Sequence, residues 1–148
     1  GLSDGEYKFK EGMERMMVKF HQTTVEKGFW EDAETALDTE SPDAPGKCLC
    51  RFCKRKEGHS HQWVAIQKFI IGQKLALIHS EVSEALEGSR KDLMDDHIPE
   101  RSMLEVELAD AVIRIMDLAQ WLGLDLAGAI LEKAAYNAGR PYKHGKTF

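Results

Sequence analysis

Apolar positions in this chain recur at intervals of three and four residues and almost nowhere in simple alternation, so the pattern predicts helices and no strands. Met13, Met16, Met17 and Phe20 mark a first helix, closed by Lys27-Gly28. A long second helix is predicted from about Trp63 to Glu87, carrying Ile66, Phe69, Ile70, Leu77 and Ile78 and stopping at Gly88. "SMLE" at Ser102 to Glu105 has capping-box spacing and opens a third helix. Asp125 caps a fourth, which ends near Asn137 with Gly139 and Pro141 just beyond. Two segments escape this regularity: residues 38–61, an irregular stretch rich in Pro, Gly, Cys and basic residues, and the short basic "GRPYKHGKTF". No internal repeat of solenoid length is present. The expectation is an all-α fold, a four-to-five-helix bundle in a single domain over residues 1–148, with the irregular insert between the first two main helices.

The third helix, "VELADAVIRIMDLAQWL", breaks the rule that a surface helix keeps its charges opposite its apolar stripe. At about 100° per residue, Glu107, Asp110, Arg114 and Asp117 share one narrow stripe within a mostly apolar circumference. The second helix repeats the arrangement: Glu81 and Glu84 lie one turn apart, Glu87 follows, and Leu75, Val82 and Leu86 form a separate apolar face. If the two helices pack antiparallel, Glu81-x-x-Glu84 faces Glu107-x-x-Asp110. One such pair is ordinarily a solvated face, but two on successive apolar helices need a physical account. Burying an unpartnered carboxylate costs several kcal/mol, and facing carboxylates repel and share protons. A divalent cation relieves both costs. With hard oxygen donors and no His or Cys at these positions, Mg²⁺ or Mn²⁺ is favoured over Zn²⁺ or copper.

Cations gather near the end of the chain. Lys133 and Asn137 are one turn apart, Arg140 lies just past the helix, and Tyr142, Lys143, His144 and Lys146 follow. Alone this is a soluble, frayed terminus; beside an acidic metal cluster it is what a polyphosphate requires.

Composition narrows the class. Of 148 residues, 43% are hydrophobic and 30% charged, as in a soluble globular protein, and the net charge of -5 gives no general attraction to nucleic acid or anionic membranes. No apolar run is long enough to span a bilayer, and "GLSDGEYKFKEG" lacks the apolar core of a signal peptide. Three Cys do not make a disulfide framework. These features predict a cytoplasmic protein without a membrane partner.

Glu81-x-x-Glu84 followed, after residues 85–106, by Glu107-x-x-Asp110 resembles the signature of the MazG-like all-α nucleoside triphosphate pyrophosphohydrolases. The closing "KAAYNAGRPYKHGKTF" resembles the endings of small MazG-like proteins, and "HQTTVEKGFWED" resembles their first-helix exit. The likeness covers nearly the whole chain except residues 38–61. It implies a homodimer or homotetramer that hydrolyses a (deoxy)nucleoside triphosphate to the monophosphate and pyrophosphate. Glu81, Glu84, Glu107 and Asp110 would ligate Mg²⁺, with Mn²⁺ as a substitute, and Lys133, Asn137, Arg140 and Lys143 would contact phosphates or sugar. Water activated by the metal would attack the α-phosphorus, with Glu81 or Glu84 orienting it or taking its proton. His21, Lys27 and Trp30 are placed to border a base pocket, although a Trp at such a position is more often core.

The insert stands outside the resemblance. Cys50-x-x-Cys53 with His59-x-His61 supplies four candidate Zn²⁺ ligands, with Cys48 as an alternative, although the gap before His59 is short for a standard finger. Arg51, Lys54, Arg55 and Lys56 make it cationic. An alternative reading is therefore a zinc-dependent nucleic-acid-binding or regulatory module centred on this stretch. Dimeric dUTPases and phosphoribosyl-ATP pyrophosphohydrolases, relatives with similar acidic motifs, are a further alternative.

Overall fold

The computed structural model describes residues 1–33 and 61–140, with side chains from residue 65 onward in the second span. Cys48, Cys50, Cys53 and His59 of the insert, the side chain of His61, and Lys143 lie outside the described residues. Within them the chain is all-helical: α1 (Asp4–Glu26), α2 (His61–Lys91), α3 (Met103–Trp121) and α4 (Leu126–Ala138). The one extended pairing among these residues is an isolated bridge between Met94 and Ser102. No described helix is long and apolar enough to cross a membrane.

Local chemistry sets the helix ends. Ser3 and Glu6 form a capping box at the start of α1, the same device that Ser102 and Glu105 build at the start of α3. Asp125 caps α4 by accepting from the Gly128 amide. Past α1, Gly28 takes a φ of 77°, a left-handed turn that suits glycine. Gly88 corrects the expected end of the second helix, because α2 continues through it to Lys91 and the left-handed position falls to Asp92 at φ 51°. A Cβ on Gly88 would meet Met103 Cβ at 2.9 Å. The glycine is there for close approach of the next helix, not as a stop.

α2 and α3 form an antiparallel hairpin: Gly88 lies against Met103, and Ile70 and Leu118 share the core at the other end. Small buried residues, Ala85 on α2 and Ala111 on α3, lie between these ends. Its connection is held by Asp95, whose carboxylate accepts from the His97 and Ile98 amides. α1 packs along α3, also antiparallel, and α4 packs on α1. Trp30, fully buried at 0% exposure, anchors the core with Ala33, Ile70 and Leu118, flanked by Ile66, Ile78, Trp121 and Leu122. Its indole stacks on Trp121 at 4.7 Å between centroids.

Much apolar surface stays outside. Leu104, Leu108, Val112 and Ile115 on α3 are exposed, as are Leu75, Val82 and Leu86 on α2, the last at 62%. On each helix these residues share an arc of about 80° or less, separate from the acids.

Candidate metal centre

The hairpin brings three of the four expected acids together. Glu81, Glu84 and Glu107 each offer an oxygen, and all three oxygens lie within 4.8 Å of one another. Glu81 and Glu107 are buried, at 6% and 8% exposure, while Glu84 is open to solvent. The antiparallel packing explains the meeting: with Gly88 against Met103, one and two turns back along α2 lie opposite one turn forward along α3.

The energetics are those of carboxylates buried beside one another, with one guanidinium, Arg114 on Glu81, against them. Burial, a hydrogen bond shared with Glu81 and the charges of Glu84, Glu81 and Asp110 push the Glu107 pKa up to about 7. Asp110 stands apart from the trio, exposed on the rim of a neighbouring cavity. Desolvation of its carboxyl and then the charge of Glu81 raise its pKa, with Arg114 acting the other way. The donor set fits a small hard cation: carboxylate oxygens only, close enough to share one ion, with burial and neighbouring carboxylates holding the Glu107 pKa up to about 7.

Two members of the acidic stripe do something else. Asp117, 6% exposed, is a structural hub. Its Oδ1 accepts from His21 Nδ1 at 2.6 Å, Thr24 Oγ1 at 2.7 Å and Trp30 Nε1 at 2.9 Å. A carboxylate so supplied with donors is satisfied without a metal. Arg114, on the same stripe, donates from Nε to Glu81 Oε1 at 2.6 Å. Helical periodicity places all four residues on one side of α3 but does not say which face α1 and which face α2, so neither partnership was legible.

The cavity beside the trio has a volume of about 170 Å³ and lies between α1, α2 and α3. Phe29, Leu77 and Ile113 supply apolar walls, Lys74 and Arg114 positive charge, and Asp110 and Asp117 negative charge. Lys74 Nζ donates to the Phe29 carbonyl at 2.8 Å and sits 4.0 Å from the Trp30 ring centroid. Burial holds its pKa below the usual lysine value.

The expected base-pocket residues fall differently. Trp30 has no open face, being enclosed by the core with its indole N–H on Asp117. It is a core residue and does not border the cavity. Lys27 caps the end of α1 and is exposed. Lys133, Asn137 and Arg140 are exposed on or just past α4, with Lys133 and Arg140 both lying over the Tyr136 ring. In a single chain α4 packs on α1, away from the helices that carry the trio. Compared with known proteins, the chain matches no family model, no curated protein and no solved structure.

Proposed function

We propose that the protein is a Mg²⁺-dependent nucleoside triphosphate pyrophosphohydrolase of the MazG-like type, releasing pyrophosphate from a (deoxy)nucleoside triphosphate. The observation that carries this reading is the meeting of Glu81, Glu84 and Glu107 oxygens within 4.8 Å across two packed helices. These three would hold the cation, with Asp110 alongside. Once bound, a divalent cation supplies Lewis acidity and makes nearby water easier to deprotonate. Glu81 or Glu84 orients the attacking water and takes its proton. Its attack on the α-phosphorus breaks the bond to the bridging oxygen, and the departing pyrophosphate carries the negative charge away. Lys133, Asn137, Arg140 and Lys143 are the proposed phosphate and sugar contacts.

We also propose a homo-oligomer, dimer or tetramer. The exposed rows on α2 and α3 support it, since monomers rarely leave long contiguous apolar stripes in water. A second copy would also offer a way to bring α4 cations near the acidic trio.

The test is pyrophosphate release from a panel of (d)NTPs with Mg²⁺. Wild-type protein is expected to turn over at least one member, and Glu84→Gln to lose about a hundredfold or more in kcat. A folded wild-type protein inactive across the panel overturns the assignment.

A further inference from the structure

We propose that Arg114 is an anion-binding arm of the cavity, parked on Glu81 when no cation is bound and released into the cavity when one enters. This rests on the reading of the acidic trio as a cation site. Arg114 is the residue the two features share: its Nε lies 2.6 Å from Glu81 Oε1, and the same side chain lines the cavity. Its guanidinium is partly open, with 40% of the side chain exposed, so it has room to turn.

The physical argument is competition. Glu81 has a single negative charge to share, so a divalent ion on its carboxylate weakens the hold of Oε1 on the guanidinium, and cation and Arg114 oppose each other at that group. A cation that takes Glu81 loosens Arg114 into the cavity, which it lines with Lys74, Asp110 and Asp117. Asp117 is spent on its three donors and Asp110 lies alongside the bound cation, so Arg114 and Lys74 are the charges left to meet phosphate oxygens. The volume sets what else fits. A cavity of about 150 Å³ takes up a benzene ring, so about 170 Å³ holds one flat ring and not a whole nucleotide. The phosphates must then lie outside it, and Arg114, a lining cation that is partly exposed, is placed to reach them. Cation loading therefore prepares the anion site, and the order of binding is cation first.

The experiment uses the full chain and two probes, Mn²⁺ alone and inorganic tripolyphosphate with saturating Mg²⁺. Arg114→Ala is expected to bind Mn²⁺ tighter by up to about fivefold, since a partly exposed guanidinium is lost as a competitor. It is expected to bind tripolyphosphate about tenfold more weakly. An ion pair that merely props Glu81 in place gives the opposite sign for Mn²⁺. Wild-type protein gives a second readout: the Arg114 Nε–H resonance, assigned by its absence from Arg114→Lys, is expected to lose its hydrogen-bonded shift on Mg²⁺ addition. Mn²⁺ affinity unchanged or weaker in Arg114→Ala, tripolyphosphate affinity unchanged, or a resonance indifferent to Mg²⁺ overturns the proposal while the cation site stands. Wild-type protein that binds no Mn²⁺ overturns both.

Discussion

Replacing Glu107 with Gln tests the electrostatics of the hairpin directly. Two unit charges 4.8 Å apart repel by about 3.5 kcal/mol at an effective dielectric of 20. Water around Glu84 and the guanidinium on Glu81 offset most of that, leaving about 1–2 kcal/mol of net repulsion at Glu107 above neutral pH. Glu107→Gln is therefore expected to stabilise the metal-free protein at pH 8, raising Tm by roughly 3–6 °C for a chain of this size. The pH dependence has a definite sign. The folded pKa of Glu107, about 7, lies above the ordinary 4.5, so the folded state holds a proton that the unfolded chain releases between those values. Metal-free stability contributed by this group is full below pH 4.5 and is lost as pH rises through 7. Saturating Mg²⁺ reverses the slope, because the cation needs the ionised ligands. At a hundred times its Kd it adds about 2.7 kcal/mol to wild type, and little to the variant. Thermal melts in EDTA and in Mg²⁺, from pH 5 to pH 8, read all of this. If Glu107→Gln lowers Tm at pH 8 in EDTA, or leaves the Mg²⁺ shift intact, the picture of crowded charge awaiting a cation is wrong.

Three further outcomes follow from other parts of the fold. Asp117→Asn turns an amide N–H₂ toward the Trp30 indole N–H, which now donates to both carboxylate oxygens, and is expected to cost about 2–3 kcal/mol in urea unfolding; a loss under 0.5 kcal/mol removes Asp117 as a hub. Gly88→Ala, which in an open helix gains about 1 kcal/mol, is expected to lose about that much instead, because its Cβ meets Met103 at 2.9 Å; a stabilised variant refutes the close approach. Leu108→Glu with Val112→Glu is expected to reduce the proposed homo-oligomer to monomer by light scattering without loss of helix content by circular dichroism; a wild-type protein that is already monomeric, or an unchanged mass in the variant, refutes the proposed interface.

Much of the architecture was legible because its signals are local. Ser102 and Glu105 declare the start of α3 in four residues, and Asp125 declares that of α4. The same device at Ser3 and Glu6 puts the start of α1 well before Met13. The acidic trio was half legible: periodicity gave the stripes, and the hairpin did the rest. What failed was whatever depended on a neighbour. Gly88 reads as a stop until Met103 is seen against it. Asp117 reads as one more member of an acidic row until α1 arrives with His21, Thr24 and the turn that carries Trp30. Arg114 read as one more charge on a helix face, since nothing in the spacing reveals a carboxylate from another element.

The placement of Glu81, Glu84 and Glu107 on a single helical hairpin has a consequence for how the centre assembles. The chain between them is short and folds back through one connection braced by Asp95, so closing it costs little loop entropy and belongs to the quick, local part of folding. The meeting of the three oxygens therefore depends on the packing of these two helices and not on the docking of the first. If the trio holds manganese as proposed, affinity for the ion should track the integrity of this one helix pair and be nearly indifferent to substitutions along the first helix.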